Sequence, residues 1–561
     1  MTKICAAQAP MADASSTKPN QRVVWNRPMS AFSLIIALNI VSMPLRAYLT
    51  EALPWTGKPQ PLEWNGTTYA ANSTWMILQR MQSLYNNDTL PAHAIIFKDP
   101  TNYTTVMRYT THALARGTPC DENVHLLPGA IFYGHGMRKA FCQFVQDNST
   151  SASMAHCQHM RQFGVTITEQ CVWIHAQPDE ASRVVYQTLY QWEVAWFLWA
   201  KLILRCVLTG YVVWEMRLHY YDHCVALVRA LETYGMPDPL SPLHHIEVYI
   251  GDPTCLILGN PLVSLCFVID FWMSVTSVGE VMLQLSQLDD LGYFLSGCIY
   301  SSRTVWFAYF SMRYSTIPIK WWGVHDWVVP LDPTAIAIGA FLLSGPFVYL
   351  NATTPLVWLL YTLWSIGVPE PDMDDSTEII PAVVAMTTIM GFVPVVLVVS
   401  IKLSQHLVAT LMPPVSRRQH SATETADQSR RYSSMEFNDF NQRMVLSILQ
   451  PSCINLVRSR GGSVYVLYDL SATFQNMPLF RHRSADCFVV GYDATSTPIE
   501  HLRLSLLQCV DLSRNGRSSI SVCGMTHDAA VCILNTKPCL ATSPIATLRI
   551  HPGASSSKWL L

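Results

Sequence analysis

Charged side chains inside apolar segments are the residues of this chain best placed to do chemistry. Glu193, Lys201 and Arg205 fall in one such segment, Asp270 in a second and Arg303 in a third. An ion at mid-bilayer costs at least about 2.5–3.5 kcal/mol on insertion scales, so such groups face a bundle interior and pair. Lys201 and Arg205 share one helical face. Two neighbouring spans of opposite direction bring Asp270 and Arg303 within reach, and the expectation is a pair that pins them. The chemistry this offers is either a polar pathway for an anionic or proton-linked solute or structural pairing between helices. The second is the plainer reading.

Other constellations are weaker. Glu215, His219 and His223 recur every fourth residue beside Asp222 and Cys224, and His pairs at that spacing bind zinc. The stretch lacks H-E-x-x-H, so it reads as a solvated face next to a membrane. In His156-Cys157-Gln158-His159 a disulfide at Cys157 would remove a ligand. Asp372-Met373-Asp374-Asp375 with Glu378 resembles acidic clusters that hold Mg²⁺ or Ca²⁺, but an acidic loop accounts for it. Arg417-Arg418 before Ser421 and Arg430-Arg431-Tyr432-Ser433-Ser434 look like basophilic kinase sites, where phosphate would reverse the local charge. The chain has no phosphate loop, nucleophile elbow or dinucleotide fingerprint. No cofactor or metal set is assigned, and the chain reads as non-enzymatic.

The elements that must position these residues follow from composition. Of 561 residues, 50% are hydrophobic and 14% charged, against about 25% charged in a soluble domain. The missing charge falls in long apolar runs. A net charge of −2 and the absence of a basic stripe leave nucleic acid without support as a partner. The lipid bilayer is the expected partner, with an unidentified extracellular ligand or cytosolic protein.

Sidedness is written in the sequons. Asn65, Asn72, Asn87, Asn102 and Asn148 each head an N-x-Ser/Thr triplet, all between the first and second apolar segments. Chance would supply roughly one there at average Ser and Thr content. Glycans are added only to exposed chain in the secretory lumen. Cys120, Cys142, Cys157 and Cys171 share the same stretch, an even number in an oxidising space, with three possible connectivities. The cysteines of the tail, without sequons around them, read as reduced thiols.

The resulting expectation is an α-helical transmembrane bundle of six or seven spans with an α+β ectodomain and a small α/β C-terminal domain. Residues 1–29 are expected to be a disordered cytosolic segment, 30–49 a signal-anchor span, 50–187 a glycosylated, disulfide-bearing ectodomain and 188–402 the bundle with its loops. Residues 403–437 read as a linker and 438–561 as a cytosolic α/β domain. Within these, 74–85 reads as a helix, 94–97 and 165–174 as strands, 464–468 and 487–492 as strands, and 499–512 as a helix. The segment 354–368 is too short for a span, and the basic residues after 400 favour a cytosolic tail. A re-entrant 354–368 reconciles the two.

The central block, Tyr249-Ile250-Gly251-Asp252-Pro253-Thr254, Leu258-Gly259-Asn260-Pro261, Asp270-Phe271-Trp272 and Ser302-Arg303-Thr304-Val305-Trp306-Phe307-Ala308-Tyr309-Phe310, is similar to an uncharacterised family of multi-pass membrane proteins from oomycete genomes. The resemblance is best over 245–350. It implies a polytopic membrane fold and no activity. Two soluble modules on opposite sides of one bundle suggest a receptor or sensor in the secretory pathway or plasma membrane; a solute transporter or channel using the intramembrane charges is the alternative.

Overall fold

The computed structural model describes residues 22–56, 71–111, 120, 124–146, 154–175, 183–192, 194–236, 242–353, 376–411, 458–461, 468, 472–511 and 559–560. In chain order its strands are β1 (Arg22–Trp25), β2 (Ile96–Asp99), β3 (Thr104–Thr111), β4 (Met154–Gln162), β5 (Val165–His175), β6 (Arg183–Gln191), β7 (His245–Tyr249), β8 (Ser376–Glu378), β9 (Arg458–Gly461), β10 (Cys487–Tyr492), β11 (Pro498–Leu506) and β12 (Trp559–Leu560). They form two six-stranded sheets. The first orders β1-β7-β10-β11-β12 with β9 also on β11, and the second orders β2-β3-β6-β5-β4-β8.

The first sheet is assembled from three distant parts of the chain. β10 is buried at every position, as its unbroken apolar run requires of a strand covered on both faces. Leu227 and Leu231 of helix Asp222–Tyr234 pack on one face with Ile246, Val248, Val489, Leu502 and Leu504. Met29 and Phe32 of helix Arg27–Ser42 cover the other, against Tyr249, Phe488 and Val490. β1 pairs in parallel with β7, placing Arg22 opposite His245. Asn26 then caps the helix by accepting from the Met29 N–H at 3.1 Å.

Three expectations are corrected here. Residues 22–29 are not disordered, because Val23, Val24 and Trp25 supply a strand that finds a partner 223 residues away. The tail is not a self-contained domain, since its sheet borrows β1 and β7. Of the stretch expected to be helical at 499–512, residues 499–506 belong to β11 and Leu507–Cys509 form a 3-10 turn. Leu502, Leu504 and Leu506 alternate with His501, Arg503 and Ser505, and the period of two prevails because β10 lies beside it.

Gly251 follows β7 at a close approach. Its N–H donates to the Tyr220 hydroxyl at 2.7 Å and its carbonyl accepts from Ser33 Oγ at 3.0 Å. A Cβ there would meet the backbone oxygens of Ser484 and Asp486 at 2.4 Å each. Backbone cannot yield as a side chain can, so Gly251→Ala is expected to lower stability by about 1–3 kcal/mol. The unfolding midpoint of the purified variant measures this.

The second sheet lies between two helices. Met137 and Phe141 of helix His135–Gln146 pack on Met154, Val172 and Val185, while Ile77 and Met81 of helix Ala71–Leu84 pack on Cys157, Trp173 and Tyr186. The expected helix at 74–85 and the strand at 165–174 are both present, and the strand expected at 94–97 begins at Ile96. Cys120 bonds Cys142, and Cys157 bonds Cys171, its direct cross-strand neighbour. Replacing both Cys157 and Cys171 with Ala is expected to cost about 2–4 kcal/mol, since the bond closes a short loop in the unfolded chain. Thermal unfolding followed through Trp173, stacked on Tyr186, reads the loss.

Between the sheets lie the apolar helices, and here the expected bundle of six or seven spans does not hold. Among the described residues three helices are long and apolar enough to cross a membrane: Arg27–Leu49, Ala195–Glu232 and Pro333–Leu350. A fourth arises if Pro261–Met273 and Val275–Leu285, bent by 59°, count as one span. Hydropathy counts residues but not breaks. Helices Leu291–Ser301 and Val305–Trp322 are separated by a 3-10 turn at Arg303, and Thr188–Gln191, expected at the head of a span, belong to β6. The segment 354–368, the expected strand at 464–468 apart from Tyr468, and most of the linker lie outside the described residues. Exposed tryptophans mark both ends of the helical layer, with Trp55, Trp196 and Trp199 toward the second sheet and Trp214, Trp321, Trp322 and Trp327 toward the first. Trp196 and Trp214 stand roughly 27 Å apart along their helix, which matches a hydrocarbon core of about 30 Å.

Candidate functional site: a buried ring of charge

Four helical segments converge on one ionic cluster. Helix Ala195–Met216 carries Lys201 and Arg205 one turn apart. Helix Pro261–Met273 carries Asp270, and the 3-10 turn Ser302–Thr304 carries Arg303. Glu51, just past the turn Met43–Leu49, supplies a second carboxylate. Lys201, Arg205 and Asp270 have no side-chain exposure, and Glu51 has 1%.

The pairing expected between Asp270 and Arg303 is present, through Arg303 Nη2 and Asp270 Oδ2. It is one side of a closed figure. Arg205 Nε donates to Asp270 Oδ1 at 2.7 Å and Arg205 Nη2 to Glu51 Oε1 at 2.9 Å. Arg303 Nη1 completes the circuit by donating to Glu51 Oε1 at 3.3 Å. Each arginine therefore touches both carboxylates, the geometry that a planar guanidinium fork favours. Lys201 joins from outside, its Nζ 3.5 Å from Glu51 Oε2. The Tyr300 hydroxyl donates to Glu51 Oε1 at 2.8 Å, and Arg205 Nη2 also donates to Ser274 Oγ at 2.8 Å.

The breaks in the helices now have a reason. Ser274 ends Pro261–Met273, and its carbonyl lies 3.2 Å from the Tyr300 hydroxyl, whose one proton it shares with Glu51. Backbone oxygens freed by a break need partners in a dry layer, and the ring's periphery supplies one. Glu51 and Tyr300 were missed by sequence reasoning. Glu51 falls at the start of the expected ectodomain, 50–187, although an acidic group just after an apolar helix was a usable signal.

The remaining candidates fall elsewhere. Glu193 lies outside the described residues. Glu215 and His219 pair at 3.0 Å between Oε2 and Nδ1, with His219 40% exposed, and the His223 carbonyl accepts from Trp559 Nε1. Cys157 is committed to its disulfide, and His159 faces Glu169 at 3.0 Å instead. Among the described residues no three His, Cys, Asp or Glu side chains come together as a metal site. Of the sequon asparagines, Asn87 is exposed and accepts from the Tyr186 hydroxyl, and Asn102 Nδ2 donates to Asp99 Oδ2 at 2.8 Å. Asn72 falls in helix Ala71–Leu84, and Asn65 and Asn148 lie outside the described residues. Asp372, Asp374 and Asp375 also lie outside them. Glu378 accepts from the Phe163 and Gly164 N–H groups at 3.0 and 3.1 Å, so it clamps the β4–β5 turn.

A second feature lies where the second sheet meets the helices. A cleft of about 710 Å³ is lined by His93, Arg108, Thr110, Gln287, Asp289 and Tyr349, among others. Beside it, Glu280 receives Lys98 Nζ at 2.9 Å and Gln191 Nε2 at 3.1 Å, which joins β2 and β6 to helix Val278–Leu285.

Three apolar helices able to cross a membrane, with folded sheets at both of their ends, make this chain compatible with a membrane protein. Compared with protein-family models, curated proteins and solved structures, the chain finds no match in any of the three.

Proposed function

We propose that the chain is a non-enzymatic, receptor- or sensor-like membrane protein that couples an extracellular or lumenal domain to a cytosolic one. The second sheet, with its sequons and both disulfides, is the outer domain. The first sheet, which holds the unbridged Cys487 and Cys509, is the inner domain.

The observation that carries this reading is the double stitching of the sheets to the helices. Glu280 and Glu378 fasten the second sheet to helix Val278–Leu285 and to the strand that leads into helix Ile380–Leu411. The first sheet receives β1 before one apolar helix and β7 after another. The charge ring fixes the helices to one another, so a displacement of one sheet reaches the other as a rigid-body movement. The cleft of about 710 Å³ has the size of a small-molecule site and is where an external ligand would act.

The transporter alternative draws on the cluster's three cations and two anions. Those groups are closed on one another and away from solvent, an arrangement suited to holding helices.

Amide exchange on full-length protein in lipid nanodiscs tests the coupling. Glu378→Ala, which frees the β4–β5 turn, is expected to speed exchange in β10 and β11 severalfold although they belong to the other sheet. Exchange altered only in β4, β5 and β8, together with solute flux above that of empty vesicles, overturns the reading. In sealed vesicles, protease should remove a C-terminal tag from the cytosolic face and spare the glycosylated domain.

A further inference from the structure

A second cavity, of about 240 Å³, opens where helix Arg27–Ser42 meets helix Pro333–Ser344 and the loops of the first sheet. That is about eight water volumes. Its chemistry is divided. Ile36, Ile40, Met43, Leu258 and Ala337 supply apolar lining, and Asp252, Asp332, Arg481 and Ser484 supply charge and hydroxyl. Both helices belong to segments able to cross a membrane. Such a crevice accepts a molecule that is apolar along its length and polar at one end.

The polar end is specific in sign. Asp332 spends Oδ1 on the N-cap of helix Pro333–Ser344, accepting from the Thr334 N–H at 2.9 Å, and Oδ2 takes no hydrogen bond from a described residue. The Arg481 backbone is fixed by its N–H bond to the Leu331 carbonyl at 3.0 Å. Its guanidinium, on a half-buried residue, forms no ion pair with a described residue. Asp252, the other carboxylate of the lining, is taken up by the Thr254 N–H at 2.8 Å and by the Thr254 hydroxyl, so Arg481 and Asp332 are the cation and carboxylate that match a headgroup carrying both phosphate and amine.

We propose that this crevice is a binding site for a zwitterionic glycerophospholipid, with its phosphate on Arg481, its amine toward Asp332 and its acyl chains leaving along the apolar lining of Ile36, Ile40, Met43 and Ala337. The inference needs the two helices to lie in a bilayer and is independent of whether the protein senses or transports.

Native mass spectrometry of the full chain, released from micelles of mixed phosphatidylethanolamine and phosphatidylglycerol, tests it. One phosphatidylethanolamine per chain is expected to survive, with phosphatidylglycerol retained at least tenfold less. Arg481→Gln and Asp332→Asn should each lower retention about tenfold. Asn remains a good N-cap, so Asp332→Asn is expected to keep the wild-type melting temperature. Ile40→Trp, which fills the crevice, should abolish retention. Equal retention of the two lipids, retention unchanged in the variants, or equal affinity for soluble glycerophosphoethanolamine overturns the proposal. Flotation with liposomes identifies the separate failure in which the helices do not enter a bilayer at all.

Discussion

Glu51→Gln is expected to lower stability by about 3–5 kcal/mol, the range found when one partner of a buried ion pair is removed. Glu51 is the only residue of the cluster that touches Lys201, Arg205 and Arg303 at once. Its neutralisation leaves those three cations facing Asp270 alone, in a layer without solvent to screen them. The helices that meet there would separate or admit water. The complementary substitution should behave oppositely. Lys201 stands outside the four-membered ring, so Lys201→Met leaves two arginines and two carboxylates in balance and is expected to change stability by less than about 1 kcal/mol. In the Glu51→Gln background it should recover part of the loss, as coupled sites do. Unfolding midpoints of the four proteins in one detergent make the comparison. A Glu51→Gln protein as stable as its parent would mean that the ring does not hold the helices.

Acid is the second large perturbation. His482 and His501 lie buried in the first-sheet domain. Burial, reinforced by the Arg313 charge, pushes the His482 pKa down to about 4, and burial with Arg503 pushes His501 down to about 3. Both are neutral in the fold and take up a proton near pH 6.5 once unfolded. The unfolded state therefore binds more protons below pH 6.5, and stability falls as pH drops through that value toward 4. The full contribution is present above pH 6.5. At pH 5 the loss is on the order of 2 kcal/mol for each histidine. Equilibrium unfolding between pH 7.5 and 4.5, read by exchange in β10 and β11, should show it. His501→Gln is expected to flatten the profile, and a parent protein equally stable at both ends of the range would contradict the assignment.

Much of the site was legible in the sequence, for a clear reason. A charge within an apolar run must pair, and the partners of Asp270 and Arg303 are few. The closing of the ring through Glu51 was hidden because the residue sits two positions past the helix that delivers it. The fold was legible where pattern is local. Helix Ala71–Leu84 and strand β5 follow from apolar spacing and β-branched content, and β10 from its unbroken run. It was not legible where pairing is distant. Nothing in Val23-Val24-Trp25 names β7 as a partner, and the alternation of Leu502, Leu504 and Leu506 also contains the helical spacing Leu502 to Leu506. The number of spans was overcounted because apolar length was read as continuous helix, whereas Ser274 and Arg303 sit at breaks.

The scattered origin of the first sheet bears on how the molecule is made. β7 is flanked by β1 and β10, and β10 leaves the ribosome after every apolar helix has been synthesised. Until then the growing chain carries β7 with one bare flank, an invitation to chaperones or to a wrong neighbour. A product terminated after Leu411 would keep its helices yet never cover that flank, so quality control would see a lesion in the first-sheet domain.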